Sequence, residues 1–474
     1  MGLRTLFLLL FCAITLFSCT PDGSSDTKKS DTEKNSTIVE ERFKTGQVIE
    51  NVICKTDPSQ NYTLYLPSTY LAEKKFPVIY AFDPHASGKL PVTLYKELAE
   101  QYNYIIIGSN NSKNGNSWEE SQTIAAKLFA DAGSRLSIDP QRIYLLGFSG
   151  GARVANTLTI VNGAINSVIC CGAAAPVANS SSPRNNYCFM GITGNEDFNY
   201  IEMKKYDMVD LAGHNIKHTL ITFSGKHEWP SKAIMDEAFW WLELNEMRKN
   251  SASKNEKLIA EHLQPLSDRL AVYNKKKQVV EAYNLCRKII NFYDGITDLS
   301  SCYETYKTIK LSPEIDKALK QEERDWSEEE ALKKQYISAF QTQNLAWWNK
   351  DIAALNKKIK TGKDTSKVLI YKRVLSFLSL VAYMQTSGAL KQNAFPAAEL
   401  YSKIYLLVDP TNSEAHYLAA SVEAIKGNQN GSLSFLKKAI ENGFEDSLRL
   451  KNDTIFNGIR NTKEFDEMIK GIAY

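Results

Sequence analysis

The pentapeptide Gly147-Phe148-Ser149-Gly150-Gly151 lies between the apolar run Ile143-Tyr144-Leu145-Leu146 and the helix-compatible stretch Ala152 to Ile160. It fits G-x-S-x-G, in which a serine occupies a sharp strand-to-helix turn and glycines two residues to either side remove side chains that would collide there. A hydroxyl so placed stands clear of the sheet at the positive end of a helix. There a histidine can take its proton and a backbone N–H can meet a developing oxyanion. Ser149 is a candidate nucleophile, and Gly150, the residue after it, a candidate oxyanion donor through its N–H.

Such a serine needs a base, and the chain has six histidines, at 85, 214, 218, 227, 262 and 416. For a nucleophile on this kind of turn, an acid and then a histidine follow in later strand-end loops. Gly225-Lys226-His227-Glu228-Trp229-Pro230 follows the last predicted strand, and Gly194-Asn195-Glu196-Asp197 follows the strand before it. His227 is the candidate base and Asp197 the candidate acid, with Glu196 as the alternative. His214 and His218 have a spacing that would bind metal on a helix, but Gly213, Asn215 and the strand after Lys217 indicate a turn. No metal and no cofactor are expected. His262 and His416 read as helix-surface residues, and the cysteines at 54, 170, 171, 188, 286 and 302 lack metal-ligand spacing and read as buried free thiols, with a bridge among Cys170, Cys171 and Cys188 on neighbouring predicted strands as the alternative.

These side chains require a scaffold that brings distant loops together. From Gly46 to Arg248, apolar runs alternate with helical patterns, which predicts an α/β fold: a doubly wound, mostly parallel sheet with helices on both faces. Gln47 to Cys54 and Tyr62 to Leu66 read as an antiparallel opening pair. Further strands are expected at Val78 to Phe82, Tyr104 to Gly108, Ile143 to Leu146, Val168 to Cys171, Cys188 to Thr193 and Thr219 to Phe223. Helices are expected at Val92 to Gln101, Glu119 to Arg135, Ala152 to Ile160, Ile201 to Ala212 and Ser231 to Arg248. In such a sheet the loops at the carboxyl ends of the strands carry the site.

With these pieces in place, residues 46–249 resemble the α/β-hydrolase superfamily, most closely the single-domain esterases around polyhydroxybutyrate depolymerases, feruloyl esterases and dienelactone hydrolase. The matching segments are Tyr62-Thr63-Leu64-Tyr65-Leu66-Pro67, the Ser149 pentapeptide, Gly194 to Asp197 and His227-Glu228-Trp229-Pro230. The resemblance covers less than half of the chain. It implies Ser149 as nucleophile, His227 as general acid and base, and Asp197 orienting the imidazole. It also implies a second oxyanion donor after Val78 to Phe82, where these esterases usually read His-Gly. Here the chain reads Asp83-Pro84-His85, and proline has no N–H, so the donor is expected at the backbone of His85, beside the acid Asp83.

The implied activity is carboxylic ester hydrolysis through an acyl-enzyme. A serine peptidase with the same triad, or a helical-repeat interaction lipoprotein with a vestigial hydrolase half, are the alternatives. Only about 14 residues separate Cys171 from Asn186, too few for a helical cap, so an open cleft is expected. Phe148 and Trp118, at the end of the polar loop from Ser109, are expected to frame it, with Trp229 lining it or packing beneath. Such a cleft suits an acylated saccharide or a small aromatic ester.

The rest of the chain adds location and a second module. Arg4 and the apolar run Leu6 to Phe17 read as a signal peptide over residues 1–18, and Leu16-Phe17-Ser18-Cys19 resembles a bacterial lipobox, which would lipidate Cys19. Residues 19–45, rich in Ser, Thr, Asp and Lys, read as a tether, placing the protein at the bacterial cell envelope on a lipid anchor. A formal net charge of +3 gives no reason to expect a nucleic-acid partner. After Arg248 the pattern becomes all-helical: residues 250–390 form a helical region and residues 391–474 tetratricopeptide-like repeats with a cap. Ala398-x2-Tyr401-x-Lys403-x2-Leu406 recurs 34 residues later as Ser432-x2-Phe435-x-Lys437-x2-Ile440. A protein partner on these repeats is an open expectation.

Overall fold

Eight strands and sixteen α-helices account for most of the computed structural model, which describes residues 43–174, 186–214 and 216–472. The expected leader, Cys19, and most of the tether and of the loop after Cys171 lie outside the described residues. Residues 44–474 form one compact unit.

The sheet comprises β1 (Val48–Ile53), β2 (Asn61–Tyr65), β3 (Phe76–Phe82), β4 (Ile105–Ser109), β5 (Ile138–Phe148), β6 (Ser167–Cys171), β7 (Cys188–Gly194) and β8 (Lys217–Phe223). Its order is β1-β2-β4-β3-β5-β6-β7-β8. β2 runs antiparallel to β1 and β4, and every later pairing is parallel. This is the doubly wound, mostly parallel sheet expected from the sequence. Every residue of β3 is buried, as in a strand covered on both faces, and its side chains alternate. Ile79 and Ala81 join the core beneath α1 (Lys89–Tyr102) and α5 (Lys232–Lys249). Tyr80 packs on Phe129 of α2 (Trp118–Arg135), with ring centroids 4.5 Å apart. Two further helices leave the sheet's carboxyl edge: α3 (Gly150–Val161) after β5, and α4 (Tyr200–Lys205), which widens into a π-turn over Tyr206–Asp210.

The first hydrophobic core does not end where the strands end. It runs on from α5 into α6 (Glu256–Lys275), α7 (Val279–Tyr293) and α8 (Ser300–Lys310), as far as Cys302. The cause is legible in α5, where Phe239, Trp240, Trp241 and Leu242 are consecutive and all buried. A helix that is apolar all round must be covered on all sides. α7 also packs against β8, the last strand of the sheet, and Trp240 Nε1 donates to the Tyr293 hydroxyl at 3.0 Å. A second core joins α9 (Pro313–Thr342), α10 (Leu345–Thr361), α11 (Thr365–Lys391), α12 (Phe395–Val408), α13 (Ser413–Ile425), α14 (Gln429–Glu441), α15 (Ser447–Asn452) and α16 (Lys463–Ile472). The 34-residue interval matches α12 to α14: Ala398 and Ser432, at equivalent first-turn positions, are both wholly buried.

Two histidines expected on helix surfaces are placed otherwise. His416 is buried, with Nε2 at 2.9 Å from Pro410 O. His262 stacks on Trp240, centroids 4.1 Å apart at an interplanar angle of 13°. Burial lowers the His262 pKa below its ordinary 6.5, against smaller opposing effects of Asp236 and Glu261. A depressed histidine favours the fold while neutral, so its contribution is present above pH 6.5 and is lost as pH falls through the folded value. His262→Phe keeps the stacking without the proton. Thermal melts at about pH 7.5 and about pH 5 should show a smaller acid-induced fall in Tm for this variant than for the wild type.

Candidate active site

β5 ends at Phe148 and α3 begins at Gly150, so Ser149 alone makes the turn, with φ 52° and ψ −120°. A side chain rarely adopts such a backbone, which costs about 1–3 kcal/mol and persists only where the surroundings impose it. The neighbouring glycines show how they do so. A Cβ on Gly147 would lie 2.4 Å from Gly151 O, and one on Gly151 would lie 2.1 Å from Phe82 O. Strand and helix therefore cross at backbone contact. The Ser149 N–H is tied to Cys171 O of β6 at 2.8 Å.

Three loops from three strand ends converge on this turn. Ser149 Oγ lies 2.9 Å from His227 Nε2, and His227 Nδ1 lies 2.9 Å from both carboxylate oxygens of Asp197. Asp197 is 1% exposed, and its Oδ1 also accepts from the Asn199 N–H at 2.8 Å. An imidazole bonded to a buried carboxylate through Nδ1 presents Nε2 to the serine as a proton acceptor and is stabilised once charged. Glu196, the alternative acid, instead pairs with Lys372 at 2.7 Å and does not reach His227.

The plane of the imidazole is held by two aromatic rings. Phe148 lies on it at 4.7 Å and Phe198 at 4.1 Å, both tilted by 38°. Phe198, which the sequence reading did not single out, directly follows the acid, and that adjacency was its only signal. Phe148 does not frame the cleft as expected. It shares the α1/α5 face of β5 with Leu146 and Tyr144, where it is buried in the first core. Trp229 packs beneath the site, 5.3 Å from Phe148 and 6.0 Å from Tyr95. Trp118 stands half-buried at the first turn of α2, and among the described residues no ring contact links it to the triad.

The loop after β3 departs from the expected arrangement. Asp83 is 2% exposed and accepts from Trp229 Nε1 at 3.0 Å and from the His85 N–H at 2.8 Å. Both carboxylate oxygens of Asp83 are thereby bonded, and the N–H expected to serve as second oxyanion donor is occupied. The His85 side chain is 81% exposed. Gly150 is the first residue of α3, where an N–H has no intrahelical partner. Against its outer face lies Asn114, another residue the sequence reading missed: a Cβ on Gly150 would lie 1.8 Å from its Oδ1 and 3.4 Å from its Nδ2. Asn114 is brought there by its N–H, which donates to Pro84 O at 2.8 Å.

Among the described residues no group of three or more His, Cys, Asp or Glu is placed to hold a metal ion. His214 lies in a turn with Nδ1 at 2.7 Å from Asp210 O, while His218 on β8 meets Asp207 at 2.8 Å. The six described cysteines are free thiols, and burial raises the pKa of Cys170 and Cys171 well above the ordinary thiol range.

No family model matches this chain, and no curated protein is similar to it. Solved structures do show similarity. The fluorophosphonate-binding serine hydrolase F of Staphylococcus aureus is 14% identical, with 42% of this chain and 99% of that one covered and a TM-score of 0.35. Esterase B of Lactobacillus rhamnosis is 16% identical, covering 46% and 92%, with a TM-score of 0.36. The feruloyl esterase module of Clostridium thermocellum is 14% identical, covering 41% and 86%, with a TM-score of 0.33.

Gly172, at the end of β6, has φ +69°, and a Cβ there would lie 3.0 Å from His227 Cε1 and 3.1 Å from Asp197 Oδ2. Gly172→Ala should slow the reaction of Ser149 with a fluorophosphonate by about tenfold or more. It should also lower stability by about 1–2 kcal/mol, the cost of a left-handed alanine. Labelling time courses and denaturant melts check the two effects separately.

Proposed function

We propose that this protein is a serine hydrolase of carboxylic esters, anchored to the bacterial cell envelope through Cys19. The observation that carries the reading is the continuous chain of contacts from Ser149 Oγ through His227 to the buried Asp197, each at 2.9 Å, built on a serine held at positive φ. A serine that merely capped a helix would need neither the strain nor the partners. In the reaction, Ser149 Oγ attacks the acyl carbon as His227 Nε2 takes its proton, and the Gly150 N–H meets the developing oxyanion. The tetrahedral species collapses, His227 returns the proton to the leaving alkoxide, and the alcohol departs. A water activated by the same imidazole then releases the acid.

The second oxyanion donor is the point at which this chain diverges from the esterases it resembles. The His85 N–H can serve only by leaving the Asp83 carboxylate, and of the Asn114 side-chain amide the accepting oxygen lies nearer Gly150 than the nitrogen, so Asn114 would donate there only with its amide turned over. An acylated saccharide or a small aromatic ester is the proposed substrate class. Residues 46–249 are the proposed hydrolase region. Residues 250–390 are a helical region, and 391–474 a tetratricopeptide-like array open to a protein partner.

Turnover of p-nitrophenyl acetate compared with a peptidyl anilide tests the reaction class. Wild type should hydrolyse the ester far faster, and Ser149→Ala should abolish turnover. Asp197→Asn should reduce kcat by about 10⁴-fold, as expected when the imidazole loses its orienting carboxylate. Preference for the anilide would instead indicate a peptidase. Wild type that neither turns over ester nor labels with fluorophosphonate would refute the reading.

A further inference from the structure

The loop carrying Asp197 is held from two opposite sides. Toward the sheet, the Asn195 N–H donates to Phe223 O at 2.8 Å and the Glu196 N–H to Gly225 O at 2.9 Å. Two of its carbonyls and one of its side chains are taken by the helical region. Arg373 Nη1 of α11 donates to Asn195 O at 2.9 Å, and Lys333 Nζ of α9 donates to Phe198 O at 2.8 Å. Lys372 Nζ pairs with Glu196 at 2.7 Å, and the Arg373 guanidinium lies 4.6 Å over the Tyr200 ring. Both cations that grip the loop backbone are themselves locked by one carboxylate. Glu329 is wholly buried and lies 2.7 Å from both Arg373 Nε and Lys333 Nζ.

We propose that Arg373 and Lys333, fixed by Glu329 and assisted by Lys372, are positioning residues for the catalytic acid, so that the helical region is a working part of the active site. The inference rests on the function proposed above. General adhesion between two bodies does not require this arrangement. Three cations from two helices converge on residues 195–200, immediately before and after Asp197. Two more ion pairs, Lys204 with Glu322 at 2.9 Å and Lys205 with Glu330, hold α4, the continuation of the same loop. Buried ion pairs contribute little net stability compared with apolar side chains of the same volume, so what they supply here is geometry. Carbonyls 195 and 198 would otherwise face water, and Asp197 must keep both oxygens within bonding reach of Nδ1. Phe198, whose carbonyl Lys333 holds, is also one of the two rings on His227.

The brace touches no substrate, so its loss should lower kcat and leave KM nearly unchanged. It should also act through His227. Asp197 is the carboxylate that faces the imidazole, and loosening it weakens the hold on the proton, which moves the acidic limb of the kcat/KM profile to lower pH.

The test uses the full chain and p-nitrophenyl acetate. Glu329→Gln/Arg373→Met removes the buried Glu329–Arg373 pair together while leaving a side-chain oxygen at 329 for Lys333 Nζ to donate to, and Lys372→Met removes a more exposed contact. Arg449→Met, which breaks a remote helical pair with Glu414 at 2.6 Å, is the structural control. We expect kcat to fall about 10- to 100-fold in the double variant. The acidic limb should shift downward, Lys372→Met should show a smaller loss, and Arg373→Lys should retain part of the activity. Arg449→Met should change neither kcat nor the limb. NMR titration of His227 reads the brace independently of turnover and should show a lower midpoint in the double variant. A folded double variant with unchanged His227 titration would overturn the inference, as would one with wild-type kcat and limb. If wild type hydrolyses no ester but the His227 midpoint still falls, the proposed function fails while the brace stands.

Discussion

A serine backbone held at φ 52° is the constraint around which this molecule is arranged. Left to itself the residue would relax into an ordinary strand or helix conformation and swing its hydroxyl away from the imidazole. Relaxation is prevented by three adjacent parallel strands. β3 supplies the carbonyl against which Gly151 lies, β5 delivers the chain to the turn, and β6 accepts the Ser149 N–H. The cost of about 1–3 kcal/mol is small against the burial of the central strands, so the sheet can impose it.

Because the strain is local, the rest of the site consists of devices that carry other groups to it. A parallel sheet gathers loops from well-separated parts of the chain at one edge. His227 arrives after β8, caught between Phe148 and Phe198, and Asp197 arrives after β7. Asp83 shows the same economy. A carboxylate close to a developing oxyanion would oppose it, yet this one accepts from Trp229 and the His85 backbone and so knits the β3 loop to the histidine loop. In the acid loop, the N–H groups of Asn195 and Glu196 donate to the end of β8 and the loop after it, and the carbonyls of Asn195 and Phe198 accept from the helical region. Both sides therefore contribute partners to that stretch of backbone.

Much of the scaffold was legible before any coordinate. The alternation of short apolar runs with helical patterns located all eight strands and the helices between them, because a strand buried on both faces has few other ways to be written. The end of the first core was less legible. Composition records where strands stop, whereas a core stops where its apolar surface is covered, and Phe239 to Leu242 on α5 demanded cover from helices up to residue 302. His416 was misjudged for the same reason, since the neighbours that bury a helix face are not written in that helix.

By itself, then, the order of residues determined the strand-to-helix turn at Ser149, the Asp197 and His227 that follow it, and the parallel sheet that collects them. These are matters of local pattern and strand sequence. Tertiary structure alone decided that Phe148 points into the core, that the His85 N–H is spent on Asp83, that Asn114 lies over Gly150, and that Arg373 reaches the backbone beside Asp197 from about 180 residues away. Each depends on which side of a strand a side chain leaves, or on which distant surface comes to rest against it. Such facts arise from packing in three dimensions, and local periodicity does not encode them.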